Sequence, residues 1–485
     1  MSLLEKILGK QKDLNKAAVY YKDQSITYSE IYTKALNTSK LLSDYSDEII
    51  SIYLPNSIDY YITYFSILEN SSIVFPFHFS NTIEYVMDKI SIIDCRLIIT
   101  YSSQKERFEK FDIDMFFIDT LCFQKKHHGI VSKNTNGMKD IVMLVETSGS
   151  SNNSKMVMLS ENNVLFSIES FHTLIKNSIK NEKALIVSFL GSAYGNTCEM
   201  LFYLFTSIPA VVYDGIVSMQ KILRMIDEFQ ITRVHLVSTL LISFCKMDIS
   251  LFRKYNLQSL KFITFGSSLF PTELFEDLIK RFPNTSIAQN YGMTEATSLI
   301  SGLNEDDWKI KFGSIGKIFP NIKYKLLSEN STNKNVGELL ISGPCVMRGY
   351  YKNPRSTDSV IKDGWLHTRD LIEIDDEGYL FYLGRIDRTI ISSGYKIIPE
   401  EIEEQLLKIL EIEKVMVYGK SDFVRDQKIV AEIVLKSGIS CTKEEIIEKC
   451  MKYLPPFKIP HEIIFKTALP QTQSGKIKFS KNSYK

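Results

Sequence analysis

Residues 364 to 403 read GWLHTRDLIEIDDEGYLFYLGRIDRTIISSGYKIIPEEIE. The stretch sets an acid at Asp370, a Gly-Arg pair at Gly384 and Arg385 and a further glycine at Gly394, then opens a helix just after Pro399, where a missing N–H costs nothing in the first turn. Working outward, EIEEQLLKIL (401–410) places Ile402, Leu406, Ile409 and Leu410 on one helical face. KVMVYGK (414–420) and QKIVAEIVLK (427–436) read as strands, and Thr442 with Glu445 forms a capping box for a second helix, EEIIEKCMKY (444–453). The C-terminal hundred residues thus read as a small α+β unit whose boundary lies close to Asp387.

Upstream, short β-rich runs alternate with amphipathic helices, which predicts an α/β fold with largely buried sheets. EIISIYLP (48–55), RLIIT (96–100), DIVMLVET (140–147), ALIVSF (184–189) and LKFITFG (260–266) read as strands; IDYYITYFSILEN (58–70) and SMQKILRMIDEFQ (218–230) read as helices. The polar run HHGIVSKNTNGMKD (127–140) is a connecting loop. A chain of 485 residues exceeds one ordinary core, and 44% hydrophobic with 24% charged residues describes a soluble globular protein. The net charge of +1 offers no global attraction to nucleic acid or anionic lipid. Seven scattered cysteines without a CxxC pair favour reduced thiols in a cytoplasm over disulfides or a zinc site. The most apolar run, near 200–213, is too short to span a bilayer and contains Pro209, so no membrane insertion is expected.

Five further motifs carry chemistry. ETSGSSNNSKMVMLS (146–160) is a Ser/Thr/Gly-rich loop after a strand, able to offer hydroxyls and N–H groups to phosphate oxygens, with Lys155 adding a point charge. QNYGMTEAT (289–297) combines an aromatic face, a hydroxyl and a carboxylate. FGSSLFPTEL (265–274) and SFLGSAYGNTCEM (188–200) precede it; GELLISGPCVMRGYYKNP (337–354) reads as structural, with Gly337, Gly343 and Gly349 as turn residues. LPQTQSGKI (469–477) ends the chain's motif set.

With these motifs in this order, the chain resembles the adenylate-forming superfamily of acyl-CoA synthetases, peptide-synthetase adenylation domains and luciferases. The resemblance implies a large N-terminal domain of layered sheets and helices that binds ATP and acyl group (1–386), and a small mobile α+β lid (387–485) carrying a catalytic lysine, Lys476. It assigns nucleotide binding to Thr147, Ser148, Gly149, Ser150, Lys155, Gly266, Ser267, Asn290, Tyr291, Gly292, Asp370 and Arg385. Tyr291 is to lie on adenine, Thr294 to meet the α-phosphate, Glu295 to hold Mg²⁺, and Asp370 to take the ribose hydroxyls. Asp387 is the implied hinge and Gly394 borders the thiol tunnel. Leu190, Ser192, Tyr194, Ser238 and Met293 are the implied acyl pocket. Three departures stand out: Asn152, Ser154 and Met156 replace the family's usual Gly, Pro and Gly, Arg369 replaces a Gly before Asp370, and Ser267 and Ser268 stand where Gly and Ala are common.

The implied activity is ATP-dependent activation of a small carboxylic acid to an acyl-adenylate, then transfer to a thiol. The acceptor is coenzyme A or the phosphopantetheine arm of a separate carrier protein. Leu190 stands where amino-acid-activating domains carry an Asp, which favours a plain acid; Glu199 is the one acid in that segment. An amino-acid-adenylating enzyme and a non-catalytic nucleotide-binding relative remain open, the latter on the strength of Asn152, Ser154 and Met156.

Overall fold

The computed structural model describes residues 2–9, 11, 13–126, 138–147, 155–174, 181–266, 270–271, 274–304, 306–328, 334–393, 395–452, 454–471 and 477. Four sheets organise the chain. The first, with nine strands, has a parallel centre built from Ala184–Ile186, Ala210–Val212, Arg233–Val237, Phe262–Gly266 and Ser286–Tyr291. The second, with eight strands, runs Ile49–Ile52, Ile73–Pro76, Leu97–Thr100 and Asp114–Phe117 in parallel, joined on one side by the antiparallel pair Ile141–Glu146 and Met156–Ser160. IISI, IVFP and LIIT are buried at every position, as expected of parallel strands covered on both faces.

Helices form where apolar residues recur at helical spacing behind a side-chain cap. Ser57 accepts from the Tyr60 N–H to start Ile58–Glu69, and a capping box between Ser160 and Asn163 starts Glu161–His172. A π-helical segment, Gly195–Leu201, follows Tyr194 and is buried throughout. The third sheet holds Lys323–Leu327, Val336–Ser342, Trp365–Ile374 and Leu380–Arg385, all antiparallel. Gly337 lies inside the second of these strands rather than in a turn, because a Cβ there would come within 2.7 Å of the Leu327 carbonyl oxygen.

The C-terminal unit has a sheet of its own, centred on the hairpin Ile412–Asp422 and Asp426–Leu435, and a core of its own that includes Ile390, Ile402, Val417, Ile433 and Ile446. The Thr442–Glu445 capping box forms and starts Lys443–Cys450. The preceding helix stops earlier than its apolar spacing suggests: it spans Pro399–Leu407. Ile402, Leu406 and Ile409 are buried, but Leu410 lies past the helix end and is 78% exposed. All seven cysteines are free. Among the described residues no helix is long and apolar enough to cross a membrane.

Candidate nucleotide and acyl site

Asp370 owes its position to a bulge. Across the pairing of Val336–Ser342 with Trp365–Ile374, His367 faces Leu340 and Leu371 faces Glu338, so Thr368, Arg369 and Asp370 together oppose Leu339. Arg369 takes the left-handed conformation, φ +61, that such a bulge demands and that glycine adopts most cheaply. The Thr368 hydroxyl donates to the Leu339 carbonyl at 2.7 Å and accepts from the Asp370 N–H at 3.1 Å, locking the turn.

So aimed, Asp370 is 5% exposed and fully engaged. Tyr291 donates its hydroxyl to Oδ2 at 2.5 Å, and Arg385 Nη1 donates to Oδ1 at 3.1 Å. Arg385 also reaches Asp387, Nε to Oδ1 at 3.2 Å. Burial raises the Asp370 carboxyl, against the opposing pull of Arg385 and of the Tyr291 hydrogen bond. Burial, with the Asp370 charge beside it, raises the Tyr291 phenol well above its usual range, so it stays a donor. Tyr291 and the three residues Asp370, Arg385 and Asp387, which lie well downstream of it in sequence, therefore form one connected group.

Tyr291 ends its strand and Gly292 follows where no side chain fits: a Cβ there would lie 1.6 Å from the Ser298 carbonyl oxygen. Met293 precedes a short turn, Thr294–Ala296, which presents Glu295. The Glu295 carboxylate accepts from the Tyr350 hydroxyl at 2.8 Å, and Lys155 Nζ lies 4.6 Å from the centroid of the Tyr350 ring. Tyr350, in a segment that sequence reading treats as structural, thus joins the neck of the phosphate loop to the metal candidate. Among the described residues no group of three or more His, Cys, Asp or Glu could cage a metal. A single carboxylate such as Glu295 suits Mg²⁺, which usually takes one or two protein carboxylates and fills its shell from phosphates and water.

The loop's two ends are fastened: Thr147 N–H donates to the Lys155 carbonyl at 2.9 Å. Ser148, Gly149, Ser150, Asn152 and Ser154 lie outside the described residues, as do Ser267, Ser268, Gly394 and Lys476. Met156 is described. It opens the strand Met156–Ser160, pairs with Glu146, and is 4% exposed in the core beneath. Gly266 ends the strand beside Tyr291's, and Ser238 donates its hydroxyl to the Gly266 carbonyl at 3.0 Å.

The acyl-pocket candidates divide. Leu190 is fully buried in the core, and Ser192 spends its hydroxyl locally, donating to the Phe189 carbonyl at 2.8 Å and accepting from the Gly195 N–H at 3.0 Å. Tyr194 instead stacks on His235, a residue that sequence reading passed over, with centroids 3.7 Å apart and planes at 28°. Burial pushes the His235 imidazole down to about 3, so it is neutral, and its Nδ1 lies 3.2 Å from the Thr264 hydroxyl. One π-turn past Tyr194, Glu199 is fully buried, and burial pushes its carboxyl up to about 8. Neither of its oxygens makes a hydrogen bond of ordinary geometry among the described residues, with Ser188 the nearest donor.

Past Asp387, within the C-terminal unit, Arg388 donates to Glu400 at 2.8 Å and to Glu403 at 2.5 Å. Gly384, φ +156, makes room for this cluster, since a Cβ there would stand 2.7 Å from Glu400 Oε2.

The chain matches the family model of AMP-binding enzymes over residues 8–351 and that of the AMP-binding enzyme C-terminal domain over 401–476. It is 25% identical over 481 residues to 4-coumarate--CoA ligase-like 6 of Arabidopsis thaliana, covering 93% of this chain and 84% of that protein. It is 26% identical to a long-chain-fatty-acid--CoA ligase of Bacillus subtilis, covering 96% and 90%. In fold it superimposes on the o-succinylbenzoate-CoA synthetase of Bacillus subtilis solved with ATP and magnesium, at TM-score 0.84 and 22% identity over 100% of this chain and 99% of that one.

Proposed function

Because the chain belongs to the AMP-binding enzyme family, we propose that it is an AMP-forming ligase that joins a carboxylic acid to the thiol of coenzyme A through an acyl-adenylate. The observation that carries this reading is the connected group Tyr291, Asp370, Arg385 and Asp387 beside Glu295. It offers an aromatic face, a buried carboxylate for vicinal hydroxyls and a fixed guanidinium within one cleft.

In the first half-reaction a carboxylate oxygen of the acid attacks the α-phosphorus of ATP, the bond to the β-phosphate breaks, and pyrophosphate leaves. Asp370 holds the ribose, Tyr291 covers the adenine, Lys155 and the loop hydroxyls face the outer phosphates, and Thr294 meets the α-phosphate. Glu295 would hold Mg²⁺, which supplies charge neutralisation at the phosphates when bound. Lys476 bridges the two anions brought together, an interaction strongest in a closed, dry site. In the second, the C-terminal unit from 387 onward turns about Asp387, and the Gly394 loop admits the thiol. Its sulfur attacks the acyl carbon as a thiolate, and AMP leaves.

The other readings lose support. Met156, one of the three departures that suggested a non-catalytic relative, is buried in the core rather than exposed; Asn152 and Ser154 lie outside the described residues. Glu199, buried and raised to about 8, is uncharged at neutral pH and is a poor partner for a substrate ammonium.

The test is a carboxylic-acid panel read by ATP-dependent pyrophosphate release, then by thioester formation with coenzyme A. Lys476→Ala should lower adenylation by roughly a hundredfold or more, as loss of one group stabilising the transition state does, while thiolysis of supplied acyl-adenylate continues. Equal loss in both half-reactions would refute the role of Lys476; no release with any acid would refute the ligase.

A further inference from the structure

One face of the nine-stranded sheet carries its side chains in rows set by the parallel register. Val237 pairs with Gly266; His235 pairs with Thr264, which pairs in turn with Ala288; and Arg233 pairs with Phe262, which pairs in turn with Ser286. Asn290, two residues beyond Ala288, completes the first row. That row lies at the C-terminal strand ends, where ligands of α/β sheets bind and where the chain continues into Tyr291, Gly292 and Met293. The last row borders a small cavity lined by Phe171, Leu174, Arg233, Phe262 and Leu303.

Tyr194 and His235 occupy the middle row. A hydrocarbon chain running between two rings needs contacts of about 3.5–4 Å to each, so roughly 7 Å between them; these rings stand 3.7 Å apart. Nothing passes. In the first row, two strands away from His235, both polar atoms of the Asn290 amide are buried without a hydrogen-bond partner among the described residues. Gly302, paired with Asn290, leaves space for the amide, since a Cβ there would approach Oδ1 to 2.8 Å. The Tyr194 hydroxyl is likewise buried without a hydrogen bond of ordinary geometry among the described residues, facing Thr264. A buried amide left unpaired is costly, and a ligand that answers it is correspondingly favoured.

We propose that the Tyr194–His235 stack is the floor of the acid-binding groove, restricting the substrate to a compact acid of about single-ring size, and that the Asn290 amide reads a hydrogen-bonding substituent on it. This rests on the ligase reading above. The acid is then a small aromatic or similarly flat carboxylic acid bearing a hydroxyl or amino group, not a fatty acid.

The experiment compares benzoate, its hydroxy and amino derivatives, hexanoate and decanoate by kcat/KM for pyrophosphate release, with wild type, Tyr194→Ala, His235→Ala, His235→Phe and Asn290→Leu. Wild type should use substituted benzoates at least about tenfold better than decanoate, in the range that pocket size alone commands. Tyr194→Ala and His235→Ala should each shift that ratio about tenfold toward decanoate by opening the cavity behind, while His235→Phe, which keeps the bulk, retains the wild-type ranking. Asn290→Leu should erase the preference for substituted over plain benzoate. Should either alanine variant fail to melt cooperatively, the other and His235→Phe decide the question. A wild type that prefers decanoate, or alanine variants with an unchanged ranking, would overturn the floor; absence of release with every acid would instead refute the ligase reading itself.

Discussion

Around Asp370 the polar groups answer one another, whereas at Asn290, Tyr194 and Glu199 they wait. Asp370 accepts from Tyr291 and Arg385, and Arg385 turns its remaining donors to Asp387. The Asn290 amide, the Tyr194 hydroxyl and the Glu199 carboxyl are buried too, yet these atoms lack ordinary hydrogen bonds among the described residues. The first arrangement holds its geometry before any ligand arrives, which suits a substrate as invariant as ATP. The second leaves desolvated groups whose satisfaction depends on what enters, which suits discrimination among acids. Preorganisation and selectivity thus sit on either side of Tyr291, which ends a strand of the nine-stranded sheet and donates to Asp370 of the third sheet.

The largest expected effect comes from breaking the satisfied end. Asp370→Ala removes the ribose carboxylate and strips Arg385 and Tyr291 of their shared partner. Truncating a buried charge pair costs about 2–5 kcal/mol, so adenylation should fall roughly a hundredfold or more in kcat/KM for ATP. A loss under about fivefold would show that the network is structural only.

Next is the joint beyond it. Proline narrows φ to one range, so Asp387→Pro should leave single-turnover pyrophosphate release near normal while thioester formation slows by about tenfold or more, the pattern of a gated second step. Thioester formation that keeps pace with adenylation would move the hinge elsewhere.

The unsatisfied end should reveal itself through pH. Glu199 is raised from its ordinary 4.5 to about 8 by burial, so the folded state holds its proton more tightly than the unfolded state does. Stability is then greatest below pH 4.5 and is lost as pH climbs toward 8, with a slope of at most about 1.4 kcal/mol per pH unit from this group. Glu199→Gln should flatten that decline, and chemical denaturation at pH 5.5 and 7.5 measures it. Parallel wild-type and variant profiles would mean the carboxylate is charged and answered.

The smallest effect tests the bulge that serves the satisfied end. Arg369→Gly relieves a left-handed residue, worth about 1–2 kcal/mol, against a glycine entropy penalty of about 0.5–1 kcal/mol. A gain near 0.5 kcal/mol, read as a slightly raised Tm with the KM for ATP unchanged, is expected. A raised KM would give the Arg369 guanidinium a role in holding the nucleotide.

Much of this site is legible in single runs of sequence. Asp370, Arg385 and Glu295 stand in motifs whose local spacing survives folding, and the Thr442–Glu445 box forms because a cap needs only its own turn. Residues whose importance arises by contact are not legible that way. Tyr350 matters because folding sets it between Lys155 and Glu295, and His235 because a π-helical segment lowers Tyr194 onto it. Met156 and Leu410 misled for the matching reason. A position in a motif or on a helical wheel does not say which way a strand turns its side chains or where a helix stops.

By itself the sequence determined the α/β class and the order of the chemical motifs, since propensity, periodicity and motif spacing act along the chain. Tertiary structure alone decided which of the motif residues are already hydrogen-bonded and which buried polar atoms are left open among the described residues. Burial and hydrogen-bond partners are set by the register between strands distant in sequence, and only that register put His235 beneath Tyr194.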